Sequence, residues 1–339
     1  MNNFDYFRAA SVQEAIGLSV EEDDAKYIAG GTNLIDLMKY NLTDAHTLVD
    51  LTKIRDHHEI QELPDGGLRL GAFETNAKTA WHPLVEGRYP LLSRAILAGA
   101  TAQIRNMATN GGNLLQKTRC YYFYDANVPC NKREPGSGCS AIGGYNRIMA
   151  ILGTNEHCIA VFPSDMCVAL AALDAVVNVE GPQGARSIPF ADFHRLPGNT
   201  PQLDNNLQEG EIITGIDLPA NGYAQNYSYL KIRDRNSYAF ALVSVATGLK
   251  LEDGHIQSAR IALGGVAHKP WRDEAAENFL KEKEPSVPVF REAAEIMLAG
   301  AVGYEHNAFK IELAKRAIVR NCMMALNPET QVPGAGPSL

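Results

Sequence analysis

KYIAGGTNLIDLMK, residues 26–39, reads as a strand that ends in a double-glycine turn and restarts as a helix. The apolar run Tyr27-Ile28-Ala29 is too short for a buried helix. Gly30-Gly31-Thr32-Asn33 is turn chemistry, and apolar positions from Leu34 onward recur at helical spacing. Two glycines let a backbone approach a ligand closely, and amides left unpaired at such a turn attract a phosphate. The same residues also build turns that hold nothing, with Thr or Asn serving only as a cap. A second copy of the pattern weighs against that plainer reading. QIRNMATNGGNLLQ, residues 103–116, sets Thr109, Asn110, Gly111, Gly112 and Asn113 between more regular segments. Two such turns in one domain suit one ligand with two phosphates. FPSDMCVALAALDAVVNV, residues 162–179, then opens with Pro-Ser-Asp. Ser164 or Asp165 caps a helix there, and the Asp165 carboxylate is also an acceptor for ribose hydroxyls.

Directly after the second turn the chain reads CYYFYDANVPCNKREPGSGC, residues 120–139. Of the six cysteines, Cys167 and Cys322 lie in apolar, helically periodic segments and read as small buried hydrophobes. The other four follow C-x9-C-x8-C-x18-C through Cys120, Cys130, Cys139 and Cys158, a spacing unlike the short hooks of zinc fingers or bacterial ferredoxins. Three readings compete: packing cysteines, two disulfides, and a four-thiolate metal centre. Packing cysteines belong in periodic segments, and disulfides suit small secreted domains without a core. A metal centre needs a loop that bends back on itself, which Pro129, Pro135, Gly136 and Gly138 permit. Both zinc and an iron–sulfur cluster remain open at this point. Arg119, Lys132, Arg133 and Arg147 favour the more negative cluster, although the same cations also suit a solvated surface. His157 adjoins Cys158 in a set that four cysteines already complete, so it reads as outer sphere or surface. His57 and His58 point to opposite faces if their segment is extended, which argues against a shared metal. Tyr121, Tyr122, Phe123 and Tyr124 shield a cluster or simply pack.

Composition bounds these readings. A chain of 339 residues with 45% hydrophobic and 21% charged residues has material for two or three cores without covalent staples. A formal charge of -8 leaves no basic footprint for nucleic acid. The first thirty residues lack a charged-then-apolar signal segment, and no apolar run is long enough to span a bilayer. Export is therefore expected only in company with a partner that carries the signal. No Ser/His/Asp set, carboxylate pair or G-x-G-x-x-G fingerprint stands out, so the organic substrate is expected to be transformed elsewhere.

KYIAGGTNLIDLMK, ATNGGNLLQ, PSD, LKIRDRNSYAFALVSVA and IALGGVAHKPWR together resemble the FAD-binding medium subunit of the xanthine dehydrogenase family of molybdenum hydroxylases, in order and spacing over almost the whole chain. The cysteine loop resembles an insertion in the subset whose flavin subunit also holds a [4Fe–4S] cluster, as in bacterial periplasmic aldehyde oxidoreductases. The resemblance implies that Lys26, Tyr27, Ile28, Ala29, Gly30, Gly31, Thr32, Asn33 and Leu34 wrap the FAD pyrophosphate. It implies that Thr109, Gly112 and Asn113 form the second loop, that Asp165 holds ribose, and that Ile212 and Lys231 border the isoalloxazine ring. Cys120, Cys130, Cys139 and Cys158 become the cluster ligands. No residue of this chain is implied as catalytic. A large molybdenum-cofactor subunit, a small [2Fe–2S] subunit and an external electron acceptor are the implied partners, in a heterotrimer exported to the periplasm. The competing class is a zinc-stapled binding or scaffold protein without flavin.

The fold class that follows is α+β: a two-part FAD-binding domain of the PCMH/vanillyl-alcohol-oxidase type, then a sheet-and-helix domain like that of CO dehydrogenase flavoproteins. The expected boundaries are 1–60, 61–222 with the cluster insertion at about 119–160, 223–327, and a mobile tail at 328–339. Ser11-Val-Gln-Glu14 reads as a capping box. Glu252-Asp253-Gly254-His255 reads as a hairpin, with three helices after it and a sheet covered by helices on one side.

Overall fold

The capping box is formed: Ser11 Oγ accepts the Glu14 N–H at 3.1 Å, and the Glu14 carboxylate reaches back to the Ala10 amide at 2.7 Å. It starts α1 (Val12–Glu21), which joins β1 (Asp5–Arg8) to β2 (Ala25–Ile28). α2 (Leu34–Lys39) then leads to β3 (Thr47–Asp50), and the three strands pair in parallel in the order β1-β3-β2. The computed structural model describes residues 1–22 and 24–331.

β4 (Ile60–Glu62) and β5 (Leu68–Gly71) begin a second sheet, completed after a long excursion by β6 (Val176–Gly181), β7 (Gly184–Pro189) and β8 (Ile212–Leu218). Its order is β4-β5-β8-β6-β7, antiparallel throughout. The excursion carries α3 (Asn76–Ala80), α4 (Pro83–Arg88), α5 (Pro90–Ala98), α6 (Ala102–Arg105) and α7 (Asn110–Leu114). After α8 (Tyr121–Tyr124) and the rest of the cysteine loop comes α9 (Asp165–Ala172), and α10 (Phe190–Phe193) follows β7.

The third sheet is antiparallel, β11-β10-β9, from β9 (Tyr227–Ile232), β10 (Val243–Glu252) and β11 (His255–Gly264). Glu252 pairs with His255 across a two-residue turn in which Asp253 and Gly254 both have positive φ, 50° and 78°. α11 (Glu274–Phe279), α12 (Val287–Met297) and α13 (Phe309–Ala325) follow.

The helices that follow this sheet pack on one of its faces, as expected, and the other face is covered as well. Val243 through Leu249 are buried without alternation, which a strand shows only when both faces are covered. α13 covers one face, while α9 and α5 of the preceding unit pack on the other. All eight residues of α9 are accordingly buried, and small residues (Ala169, Ala171, Ala172) let its neighbours approach. Of the expected tail, Pro328–Thr330 form a 3-10 turn, and 332–339 lie outside the described residues.

His194, at the end of α10, is 3% exposed among Phe162, Phe190 and Phe193, and its Nε2–H donates to the Leu114 carbonyl at 2.9 Å. Burial pushes its pKa from 6.5 down to about 4. Between those values the unfolded chain binds the extra proton, so stability is complete above about pH 6.5 and falls toward pH 4, by on the order of 3 kcal/mol at the limit. Denaturant titrations across this range should show that loss, and His194→Leu should flatten it while lowering stability at neutral pH through the lost bond to Leu114.

Candidate flavin cleft and cysteine centre

The first glycine turn lies against the second. A Cβ on Gly30 would sit 2.0 Å from the Met107 carbonyl oxygen, so only glycine permits the contact, and Gly31 adopts φ 67°. Among the described residues the amides of Gly31, Thr32 and Asn33 donate to no backbone carbonyl. These residues line a cleft of about 1740 Å³, roomier than the common range for small-ligand pockets of about 300–1,000 Å³. Asn33 spans the two turns: its Oδ1 accepts the Lys117 N–H at 2.9 Å, and its buried Nδ2 has no partner. An orphaned buried donor beside unpaired amides, in a cradle that a side chain would fill, fits the phosphates of a dinucleotide. Tyr27 fixes the strand side, its hydroxyl reaching Ser19 Oγ at 2.5 Å and the Gly210 carbonyl at 2.9 Å.

The second turn is held by a buried amide network. Thr109 caps α7 by accepting the Gly112 N–H at 3.2 Å. Asn110 donates to the Gly71 carbonyl and Thr79 hydroxyl, and accepts from Asn76. Asn113 donates to Asn76 Oδ1 at 2.7 Å and accepts from Ser164 Oγ at 2.5 Å. Ser164 also takes the Cys167 N–H and is therefore the cap of α9. That leaves Asp165 free for another partner.

Asp165 meets Lys231. Its carboxylate accepts from Lys231 Nζ at 2.7 Å and from the Tyr229 hydroxyl at 2.6 Å, with Asp165 and Lys231 side chains only 8% and 5% exposed. Burial and the neighbouring Asp165 charge push the Tyr229 phenol far up, so it stays protonated and donates. Each carboxylate oxygen retains acceptor capacity beyond the bond it makes, and Asp165 lines the cleft.

Lys26 through Leu34, Thr109, Gly112, Asn113, Asp165 and Lys231 all line the one cleft. Ile212 does not: it heads β8, buried in the core, and residues 208–211 line the cleft in its place. Asn76 and Tyr229 escape the sequence reading. Tyr229 stands two residues from Lys231 on the same face of β9, and strand alternation was the available signal. Asn76 opens a short helix and carries no signal of its own.

The four cysteines converge in a separate buried cluster with Phe123, Met149 and Ile159. Cys130 and Cys139 face each other across an antiparallel bridge, and the proximity of Cys139 to Cys158 lowers the pKa of the Cys139 thiol, to about 6, and raises that of Cys158. Burial raises Cys120 to about 11. All six cysteines are free thiols, so the disulfide reading is overturned. Asn131 folds the loop, accepting the Gly136 and Gly138 amides and donating to the His157 carbonyl. Arg133 is turned inward onto the Tyr122, Phe123 and Val128 carbonyls rather than solvated. Among the described residues no group of three or more His, Cys, Asp or Glu side chains is arranged to hold a metal ion.

His57 and His58 do not splay apart. His57 has φ 64°, and both rings pack on Phe73 at 6.0 and 5.9 Å.

Residues 2–221 match the family described as the FAD binding domain in molybdopterin dehydrogenase, and residues 228–325 match the CO dehydrogenase flavoprotein C-terminal domain. The chain is 47% identical over 319 residues to the aldehyde oxidoreductase FAD-binding subunit PaoB of Escherichia coli strain K12, covering 94% of this chain and 96% of PaoB. It is 28% identical over 275 residues to the carbon monoxide dehydrogenase medium chain of Afipia carboxidovorans, covering 80% and 78% of the two chains. In structure it is similar to a chain of carbon monoxide dehydrogenase from Hydrogenophaga pseudoflava, with TM-score 0.75, 25% identity and coverage of 96% and 97%.

Removing one partner of the buried Asp165–Lys231 pair strands the other. Lys231→Met should cost about 3–5 kcal/mol in denaturant unfolding and at least tenfold in flavin retention. Adding Asp165→Asn to it should recover much of the stability but not the flavin.

Proposed function

This chain belongs to the FAD-binding medium-subunit family of the molybdenum hydroxylases, and from that premise we propose that it is the electron-transfer subunit of an aldehyde oxidoreductase. It receives electrons from a large molybdenum-cofactor subunit through the [2Fe–2S] centres of a small subunit and passes them to an external acceptor. The observation that carries the aldehyde assignment is the 47% identity to PaoB over 96% of that protein's length. Bound FAD supplies the exchange between two-electron and one-electron transfer, and the residues of this chain bind and orient it.

The two glycine turns hold the pyrophosphate through backbone amides, so the grip depends on shape and not on side-chain charge. Asp165 positions a sugar hydroxyl. Lys231, kept in place by Asp165 and the Ala98 carbonyl, places a cation where a reduced, anionic ring would be stabilised. The hydroxyl of Tyr229 stays a donor and takes no proton.

Cys120, Cys130, Cys139 and Cys158 are proposed as ligands of a [4Fe–4S] cluster. The packing of all four cysteines in one buried cluster supports this, as does a loop ordered mainly by side-chain-to-backbone bonds. The cluster is proposed to orient the loop and tune potential, because [2Fe–2S] centres already link molybdenum to flavin. Periplasmic location through co-export with a signal-bearing partner completes the proposal. Among the described residues no helix is long and apolar enough to cross a membrane.

The heterotrimer purified anaerobically should carry one FAD per copy of this chain and be bleached at the flavin band by an aldehyde. Cys139→Ala should lower iron by roughly four atoms per complex while flavin stays near its wild-type content. Iron unchanged in Cys139→Ala would reject the ligand set, and a complex without FAD would reject the function.

A further inference from the structure

Asp204 lies between α10 and β8, outside both glycine turns and the cysteine loop, yet cations from both sides meet on it. Its Oδ1 accepts from Lys132 Nζ at 2.6 Å and its Oδ2 from Lys117 Nζ at 2.5 Å. Lys132 belongs to the cysteine loop, is 6% exposed, and also donates to the Pro201 carbonyl at 2.7 Å. It stands two residues from Cys130 in that loop. Lys117 belongs to the flavin side: it lines the cleft and its backbone N–H is the one held by Asn33. Burial of the Asp204 carboxyl is outweighed by the two lysines, which hold it ionised below the usual carboxylate range. The set is therefore two ammonium groups on one carboxylate, with a net charge of about +1 placed between the cysteine loop and a dinucleotide cleft.

We propose that Asp204 is a positioning residue that fixes Lys132 against the four-cysteine centre and Lys117 against the flavin cleft, and so sets the reduction potentials of both centres together. This rests on reading the four cysteines as iron–sulfur ligands. Charge fixes the signs. Adding an electron is easier near a cation and harder near an anion, and the effect is strong where water is scarce. Asp204→Asn removes the anion and leaves both cations, so both potentials rise. Lys132→Gln removes the cation on the cysteine side, so the cluster potential falls while the flavin shifts little. Lys117→Gln, at a more exposed side chain, lowers the flavin potential and leaves the loop intact.

The test is a redox titration of the whole co-expressed complex, following the cluster by electron paramagnetic resonance and the flavin by absorbance, with iron and FAD content measured for each variant. The expected cluster shifts are at least tenfold in the one-electron equilibrium, 59 mV, upward for Asp204→Asn and downward for Lys132→Gln. A loop that is merely loosened would move both variants in the same direction. Equal signs, or no shift at full iron and FAD content, overturn the proposal. So does iron loss in Asp204→Asn combined with an unmoved flavin in Lys117→Gln, which would make Asp204 an anchor only. A wild-type complex without the cluster signal would instead reject the ligand reading itself.

Discussion

The contact between the Gly30 backbone and the Met107 carbonyl is the constraint on which the rest of the site depends. A side chain at position 30 would occupy the same space as that oxygen, so two turns that lie far apart in sequence pack backbone to backbone. Once they touch, their amides share one cleft, and Asn33 can bond across to Lys117. The amide network behind the second turn, through Asn76, Asn110, Asn113 and Ser164, then keeps that backbone from relaxing away. Buried side-chain amides with their partners supplied are rigid, and a grip made of main-chain donors needs that rigidity more than it needs charge.

The cysteine loop is built on a different principle. Asn131 and Arg133 substitute for secondary structure by satisfying the loop's own amides and carbonyls. Attachments tie it to its surroundings: Tyr124 to Asp36 of α2, Lys132 to Asp204, and the buried Lys310 of α13 to the Ile148, Met149 and Gly265 carbonyls. The insertion is thus seated by the flavin domain on one side and by the C-terminal helices on the other. A chain with a wide polar loop of this kind gains folding energy from any metal that closes it.

Much of this was legible beforehand because it is local. The double-glycine turns, the capping box at Ser11 and the Asp253-Gly254 hairpin are each fixed by neighbouring residues, and each is found where the pattern put it. What escaped is tertiary. The second face of the C-terminal sheet is covered by α9, whose apolar run has no periodicity to say which side it packs on. Ile212 was placed at the ring, yet a residue heading a strand that is buried on both faces turns into the core. His57 and His58 were separated by an assumption of extended backbone that a positive φ removes. The pairing of Asp165 with Lys231 joins residues from different domains, and no spacing within either segment encodes it.

The two glycine turns act as one flavin grip. The most direct measurement is the FAD content of the purified complex carrying Gly30→Ala, beside Gly17→Ala, where an added methyl meets nothing within 4 Å. The expected result is loss of most of the flavin in Gly30→Ala with the helix and sheet signals retained, and full flavin in Gly17→Ala. Stoichiometric FAD in Gly30→Ala would contradict it.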